Sequence, residues 1–348
     1  MPLKVLIVGL GGIGQRHARN FRTILGDQVE IIAYRQRGLE YLLAEDLSIV
    51  PSKNVEAELN LATYPSLESA LAEQPDVVFV TNPTSQHIPI ALAAAQAHCH
   101  LFIEKPLSNN LAGVEQLVNL VAQHGLVVTV GYQLRFHPCI LMLKMLLEQE
   151  VVGPVLAAHL EIGEYLPGWH PYEDYRQMYA SKHDLGGGVI LSQIHELDLI
   201  YWLFGKPKLV FGLGGHWSSL DIDVEDVSSV LLECRHHGRS LPVHLHQDYC
   251  QRPPSRIFQI IGEYGKIFVD MNALEVRVVD GRTLKSDTKR FENYQRNQAF
   301  VDELEQYLRC LQGREVPVVG LQDGVQSLRI ALSAKESIKI ECGVFSFI

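Results

Sequence analysis

The 348-residue sequence has little with which to staple itself or cross a membrane. Six cysteines, at positions 99, 139, 234, 250, 310 and 342, form no C-x-x-C pair and no metal-ligand spacing. This excludes a disulfide scaffold and reads as reduced, buried thiols in a cytoplasmic protein. No unbroken apolar run reaches the roughly 18 residues of a membrane span, so no membrane partner is expected. The start of the chain lacks a signal peptide's long apolar stretch and small-residue cleavage site. The 15 histidines include no H-E-x-x-H or similar pattern, so no metal is expected. Positive charge is in deficit: 30 Lys and Arg face 40 Asp and Glu, a net charge of −10, which argues against nucleic-acid binding. Internal repeats and low-complexity tracts are also missing. What remains is 47% apolar and 20% charged, a composition suited to a folded chain of about two domains at roughly 150 residues each.

The first third alternates short apolar strands with helices. Strands are expected at 4–8, 30–34, 77–81, 100–104 and 127–131, and helices at 13–25, 38–47, 88–97 and 111–124, the last capped by Ser108-Asn109-Asn110. This is the pattern of a doubly wound α/β domain over residues 1–132. After residue 150 the strands alternate apolar and polar residues and are joined by short turns, such as His236-His237-Gly238. They predict an α+β domain over 133–348 with a large, mostly antiparallel open sheet and helices near 187–203, 296–312 and 322–338. The closing helices could pack back on the first domain.

Gly9-Leu10-Gly11-Gly12-Ile13-Gly14 lies between a buried strand and a helix, the setting in which G-x-G-x-x-G binds a dinucleotide. Gly9 permits the turn, Gly11 lets the backbone approach a pyrophosphate, and Gly14 lets helix and strand pack closely. An NAD site usually ends its second strand in Asp or Glu. Here that position falls near Arg35 and Arg37, which could grip the 2′-phosphate of NADP(H). Residues 1–37 carry a local excess of four positive charges, in keeping with this. Two solvated surface arginines are the alternative, and Glu40 keeps NAD(H) open.

Lys105 follows a core strand, where open α/β sheets bind ligands, and Pro106 biases it towards an extended conformation. Read on spacing alone, it is better taken as a surface lysine at a strand end. Gly186-Gly187-Gly188 leads into a helical stretch in which Ser192, His195 and Asp198 recur at spacings of three, placing them on one helix face. His195 could pass protons near neutral pH or be a core histidine. Trp169, Tyr172, Tyr175 and Tyr179 sit in a Pro- and Tyr-rich loop that could stack on a sugar ring or simply pack on itself.

Taken together, these motifs resemble the Gfo/Idh/MocA family of NAD(P)-dependent oxidoreductases. The resemblance runs over nearly the whole chain. It rests on the Gly9–Gly14 loop with Gln15-Arg16-His17, on Glu104-Lys105-Pro106, on 131–138 (Gly-Tyr-Gln-Leu-Arg-Phe-His-Pro) and on Gly186-Gly187-Gly188 running into His195. It implies hydride transfer between a nicotinamide and a sugar carbon, with Lys105 holding the reacting oxygen and His195 moving the proton. The cofactor would lie against Gly9, Gly11, Gly12, Ile13, Gly14, Arg35, Arg37, Thr81, Asn82, Pro83, His87, Glu104 and Lys105. NADP(H) is favoured. Tyr132, Arg135, Trp169, Ser192 and Asp198 are the substrate-side candidates. The segments 165–175 and 249–256 resemble a branch from bacterial surface-sugar gene neighbourhoods, which implies a sugar, sialic-acid-like or nucleotide-sugar substrate. The resemblance also implies a homodimer or homotetramer through the second domain's sheet. Ser192 departs from the family, which commonly has Asp there. That departure keeps open a catalytically silent NAD(P) sensor, and the fold also allows a reductase of a non-sugar ring such as a bilin.

Overall fold

A computed structural model of the chain describes residues 2–35, 41–44, 48–51, 55–170 and 172–345. It divides into two compact units, Met1–Tyr132 with Asn297–Val325, and Gln133–Arg296 with Gln326–Ile348.

In the first unit the chain runs β1 (Leu3–Val8), α1 (Gly12–Leu25), β2 (Val29–Tyr34), β3 (Tyr41–Leu43), β4 (Ile49–Pro51), α2 (Val55–Glu58), β5 (Ala62–Tyr64), α3 (Leu67–Leu71), β6 (Val77–Val80), α4 (His87–Gln96), β7 (His100–Glu104), α5 (Val114–His124) and β8 (Val128–Gly131). Six strands form a parallel sheet in the order β5-β2-β1-β6-β7-β8. All four residues of β6 and of β8 are buried, as continuous apolar runs covered on both faces require. Phe79 and Phe102, neighbours on β6 and β7, stack at 4.5 Å. Tyr307, from the returning segment, meets both edge-on at 5.9 and 5.7 Å. Such aromatic pairs add about 0.5–1.5 kcal/mol each beyond the area they bury.

Two expectations for this unit fail. Where the chain is described, the helix expected over 38–47 gives way to a strand: Tyr41–Leu43 pairs antiparallel with Ile49–Pro51, and 36–40 and 45–47 lie outside the described residues. Buried Gln15 explains it. Its Oε1 accepts the Leu43 N–H at 2.8 Å and its Nε2 reaches the Tyr41 carbonyl at 3.5 Å, capturing the segment extended. Ser108-Asn109-Asn110 does not cap a helix either. Asn110 Oδ1 accepts the Ala112 N–H in a local turn, and α5 starts only after Gly113, whose φ is +75°.

The second unit contains α6 (Pro138–Glu148), β9 (Val155–Gly163), α7 (Val189–Ser192), α8 (His195–Phe204), β10 (Leu209–Gly215), β11 (Val227–His236), β12 (Arg239–Asp248), β13 (Ser255–Gly262), β14 (Gly265–Asp270), β15 (Glu275–Asp280) and β16 (Ser286–Arg290). Then come α9 (Gln298–Leu311), which belongs to the first unit, α10 (Leu321–Ile340), which contributes residues to both, and β17 (Val344–Phe345). The sheet runs β16-β15-β14-β13-β9-β12-β11-β10-β17, antiparallel except between β9 and β12 among the described residues. Val230, Leu232, Val243, Leu245, Leu160 and Ile162 are buried on one face. The alternate positions carry Phe211, Leu213, Leu231 and Ile257, all exposed. The turn at His237-Gly238 takes φ of +46° and +78°, as a two-residue hairpin needs.

The helix expected over 187–203 is broken. α7 stops at Ser192 and α8 starts at His195, so Ser192 and His195 do not share one continuous helix face. The break is held by two bonds to β12: Gln193 Nε2 donates to the Asp248 carbonyl at 3.0 Å, and Gln247 Nε2 donates to the Gln193 carbonyl at 2.8 Å. The six cysteines are free, but they are not all buried. Cys250 is half-buried and Cys342 is exposed. Burial pushes the Cys99 thiol up to about 11, and those of Cys139 and Cys234 up to about 12.

His137 caps α6. Its Nδ1 accepts the Cys139 N–H at 3.3 Å, and Pro138 fills the first helical position. A capping lone pair needs a neutral ring, and burial, followed by the Arg256 charge, pushes His137 down to about 4. The unfolded value is about 6.5. The unfolded chain therefore takes this proton first as pH falls, and stability is lost between about pH 6.5 and about pH 4. The expected loss approaches about 3 kcal/mol at the acid end. His137→Asn keeps a capping acceptor without the titration and should flatten that part of the curve in denaturant titrations at stepped pH.

Candidate functional site

The strands of the first unit finish nearly in step. Val8 pairs with Tyr34 and with Val80, Val80 with Ile103, and Glu104 with Gly131. Residues 9–14, 35, 81–83, 104–106 and 131–132 therefore gather at one edge of the sheet, the edge where open α/β sheets bind ligands.

Each glycine of the Gly9–Gly14 turn meets a different demand. Gly9 has φ +101°, and an added Cβ would lie 3.0 Å from both the Asn82 nitrogen and the Thr81 carbonyl. At Gly14 a Cβ would stand 2.0 Å from the Gly9 carbonyl oxygen, so helix and turn pack at backbone distance. At Gly11 a Cβ would meet no atom within 4 Å, and its φ of −67° suits any residue. Nothing in the protein requires glycine at 11, whereas a ligand pressed against the turn would. The first turn of α1, where Gly12, Ile13 and Gly14 lie, carries no acidic residue, so its N–H groups and dipole favour an anion. The turn fits a dinucleotide pyrophosphate.

The residues around this turn are largely held by the protein. Thr81 Oγ1 donates to the Gly9 carbonyl at 2.7 Å, tying the end of β6 to the turn. Asn82 Nδ2 donates to Gln86, while Asn82 Oδ1 is buried without a hydrogen-bond partner. Pro83 leads into the short turn at 84–86. Glu104 turns inwards. Its Oε1 lies 2.8 Å from His17 Nε2, its Oε2 accepts the Lys105 N–H at 3.3 Å, and both side chains are buried. His17 in turn is caged edge-on by Phe79 and Phe102 at 5.1 and 5.0 Å. Glu104 thus anchors the strand end, and Lys105 follows it half-buried. His87, expected among the cofactor contacts, has both ring nitrogens against backbone carbonyls.

At the end of β2, Arg35 is ion-paired with Glu56 of α2, and its Nη1 is buried without a hydrogen-bond partner. Arg37 and Glu40 lie outside the described residues. Glu56 is the residue that sequence reading missed. It stands 21 positions beyond Arg35, and only folding places a carboxylate beside the strand end.

In the second unit His195 is the first residue of α8 and is buried. Ser192, also buried, hydrogen-bonds to the Tyr249 hydroxyl, whose own ionisation is pushed far up by burial. Arg135 and Asp198, expected towards the substrate, face each other. Arg135 Nε and Nη2 donate to Asp198 Oδ2 and Oδ1 at 2.9 and 2.7 Å, with both side chains 1% exposed. Ser327 adds a hydrogen bond to the same carboxylate at 2.9 Å. The geometry is bidentate and strong, and it braces the start of α8 rather than presenting a free charge. Glu196, on the same turn, pairs with Arg256 at 2.7 Å. Gly187 and Gly188 are required by packing, against the Tyr179 carbonyl and against Glu225 of the Glu225–Lys335 pair. Trp169 meets the Tyr249 ring edge-on at 5.3 Å, and its indole N–H is buried without a hydrogen-bond partner. Tyr132, the last residue of the first unit's leading segment, is fully buried. No group of three or more His, Cys, Asp or Glu able to hold a metal ion occurs among the described residues, and no described helix is long and apolar enough to cross a membrane.

Comparison with known proteins bears on both units. Residues 3–132 match the model of an oxidoreductase family with an NAD-binding Rossmann fold, and residues 140–268 match the GFO/IDH/MocA C-terminal domain. Myo-inositol 2-dehydrogenase of Thermotoga maritima is 25% identical over 354 residues, covering 97% of this chain and 96% of that one. UDP-N-acetylglucosamine 3-dehydrogenase of Acidithiobacillus ferrooxidans is 29% identical over 163 residues, 45% of this chain and 47% of that protein. The WlbA dehydrogenase of Bordetella pertussis, solved with NADH and UDP-GlcNAcA, superposes with a TM-score of 0.80 at 20% identity, covering 100% of both chains.

The glycines can be separated by experiment. Gly11→Ala should leave the melting temperature unchanged while abolishing calorimetric binding of NADH and NADPH. Gly14→Ala should lower the melting temperature, because a backbone oxygen blocks its Cβ. A Gly11→Ala protein that binds either dinucleotide like the wild type would remove the pyrophosphate from this turn.

Proposed function

This chain belongs to the Gfo/Idh/MocA oxidoreductase family, and we propose that it transfers a hydride between NAD(P)(H) and a hydroxyl- or carbonyl-bearing carbon of a sugar-like substrate. The open position at Gly11, on the same sheet edge as Lys105, carries the reading. The substrate class, whether cyclitol, sugar, sialic-acid-like sugar or nucleotide sugar, rests on the similarity to inositol and UDP-N-acetylglucosamine dehydrogenases.

The bound nicotinamide would supply the hydride acceptor or donor. The N–H groups of the Gly9–Gly14 turn hold the pyrophosphate. The Lys105 ammonium donates a hydrogen bond to the substrate oxygen and stabilises charge as its proton leaves. His195 takes that proton in oxidation and returns it in reduction. Thr81 and Glu104 act on the chain itself, fixing the turn and the strand end. Trp169 is the aromatic face offered to a sugar ring. The exposed apolar residues Phe211, Leu213, Leu231 and Ile257 on the second unit's sheet support self-association through that face.

On cofactor choice the Arg35–Glu56 pair matters. Arg35 alone favours the 2′-phosphate of NADP(H). Glu56 neutralises it and brings a carboxylate of the kind that accepts ribose hydroxyls in NAD sites. NADPH and NADH should therefore bind within about tenfold of each other, or about 1.4 kcal/mol. Glu56→Gln should shift the ratio towards NADPH, as parallel calorimetric titrations would read. For the chemistry, wild type and Lys105→Ala are to be assayed with both cofactors on myo-inositol and UDP-N-acetylglucosamine. Lys105→Ala should lose about 10²–10⁴ in kcat/KM on the substrate that turns over. Undiminished turnover by a folded Lys105→Ala protein would sink the assignment.

A further inference from the structure

His87 opens α4, is 1% exposed, and has both ring nitrogens against backbone carbonyls: Nδ1 is 2.8 Å from the Pro106 oxygen and Nε2 is 2.8 Å from the Asn82 oxygen. Asn82 lies two residues beyond β6, and Pro106 two residues beyond β7. The ring therefore bridges the chain leaving one strand and the chain leaving the next, with Lys105 directly before one of its anchors. A carbonyl oxygen only accepts. Both contacts are hydrogen bonds only when both nitrogens carry a proton. A neutral ring has one N–H, so one carbonyl then faces a lone pair.

We propose that His87 is a positioning residue for Lys105, clasping Pro106 to Asn82 at both ends when doubly protonated and at one end when neutral. The ring has both nitrogens turned to backbone carbonyls. It acts by holding the backbone that presents the lysine, so its functional meaning rests on the role proposed for Lys105. The charged groups that act on the ring are Glu104 and Lys105, both at the end of β7, and α4 itself carries no other titratable residue. Burial is the largest influence and lowers the ring's pKa. The two carbonyls and Glu104 oppose this, and Lys105 adds to the lowering. At neutral pH the clasp is single-ended, and acid closes it.

The test needs no substrate. Protein labelled with ¹⁵N-histidine and ¹³Cε-lysine is titrated by NMR, with His87 assigned by its loss in His87→Gln and Lys105 by its loss in Lys105→Arg. At neutral pH the His87 ring should be a single neutral tautomer. On acidification both nitrogens should become protonated, with a midpoint below the ordinary histidine value of about 6.5. The Lys105 signal should move with that same midpoint. In His87→Gln, whose amide can donate to one carbonyl and cannot titrate, Lys105 should sit near its neutral-pH position throughout. His87→Phe, which removes both bonds, should shift the Lys105 signal at every pH. An ordinary His87 titration that leaves Lys105 unmoved would overturn the proposal. So would a Lys105 profile that His87→Gln leaves unchanged, and this comparison decides even if His87→Phe fails to fold. Failure of Lys105→Ala to impair turnover would instead refute the catalytic reading, with the clasp untouched.

Discussion

Parallel strands covered on both faces leave a chain no polar surface except at the strand ends, and in the first unit that constraint decides where reactive groups can stand. Val8, Tyr34, Val80 and Ile103 align across the sheet, so the chain escapes burial at four neighbouring places within a residue or two. A turn of glycines, an arginine, a threonine and a lysine emerge side by side although dozens of residues separate them in sequence. No side chain has to reach far, because the ladder of backbone hydrogen bonds has already brought the segments together.

Several polar side chains just beneath that edge are held by the protein. Glu104 is met by His17 inside an aromatic cage, Thr81 by the Gly9 carbonyl, His87 by two carbonyls, and Gln15 by the backbone of β3. A buried polar group left unpaired costs about 1–3 kcal/mol, so these partnerships are conditions of folding as much as of function. The second unit follows the same rule around His195, where Arg135, Asp198, Glu196 and Arg256 form two ion pairs that fix the first turn of α8. In both units the groups proposed to do chemistry stand beside side chains that are paired with one another or with the backbone.

Local physics made much of this readable in advance. The strand, glycine turn and helix at the N-terminus, the strand ending at Glu104-Lys105-Pro106, and the alternating strands of the second unit all announce themselves within ten or so residues. What escaped notice depends on partners distant in sequence. Tyr41–Leu43 reads as helix until Gln15 captures it. Residues 187–203 read as one helix until Gln193 donates to the Asp248 carbonyl and accepts from Gln247 at the break. Arg35 reads as a free cation until Glu56 arrives, and Arg135 and Asp198 read as two ligand contacts rather than one pair. In each case the local reading was outvoted by one or two tertiary hydrogen bonds or an ion pair.

The first unit takes part of its core from the far end of the chain. Leu304, Tyr307 and Leu308 pack into the same cluster as Val5, Phe21, Phe79 and Phe102. Domains usually complete themselves in the order in which the ribosome delivers them, at about 5–20 residues per second. Here the parallel sheet must wait, with one flank uncovered, while the whole of 133–296 is synthesised. On the way out of the ribosome the first unit's sheet is made before any strand of the second unit, yet its last core residues arrive only after β9–β16 have been made.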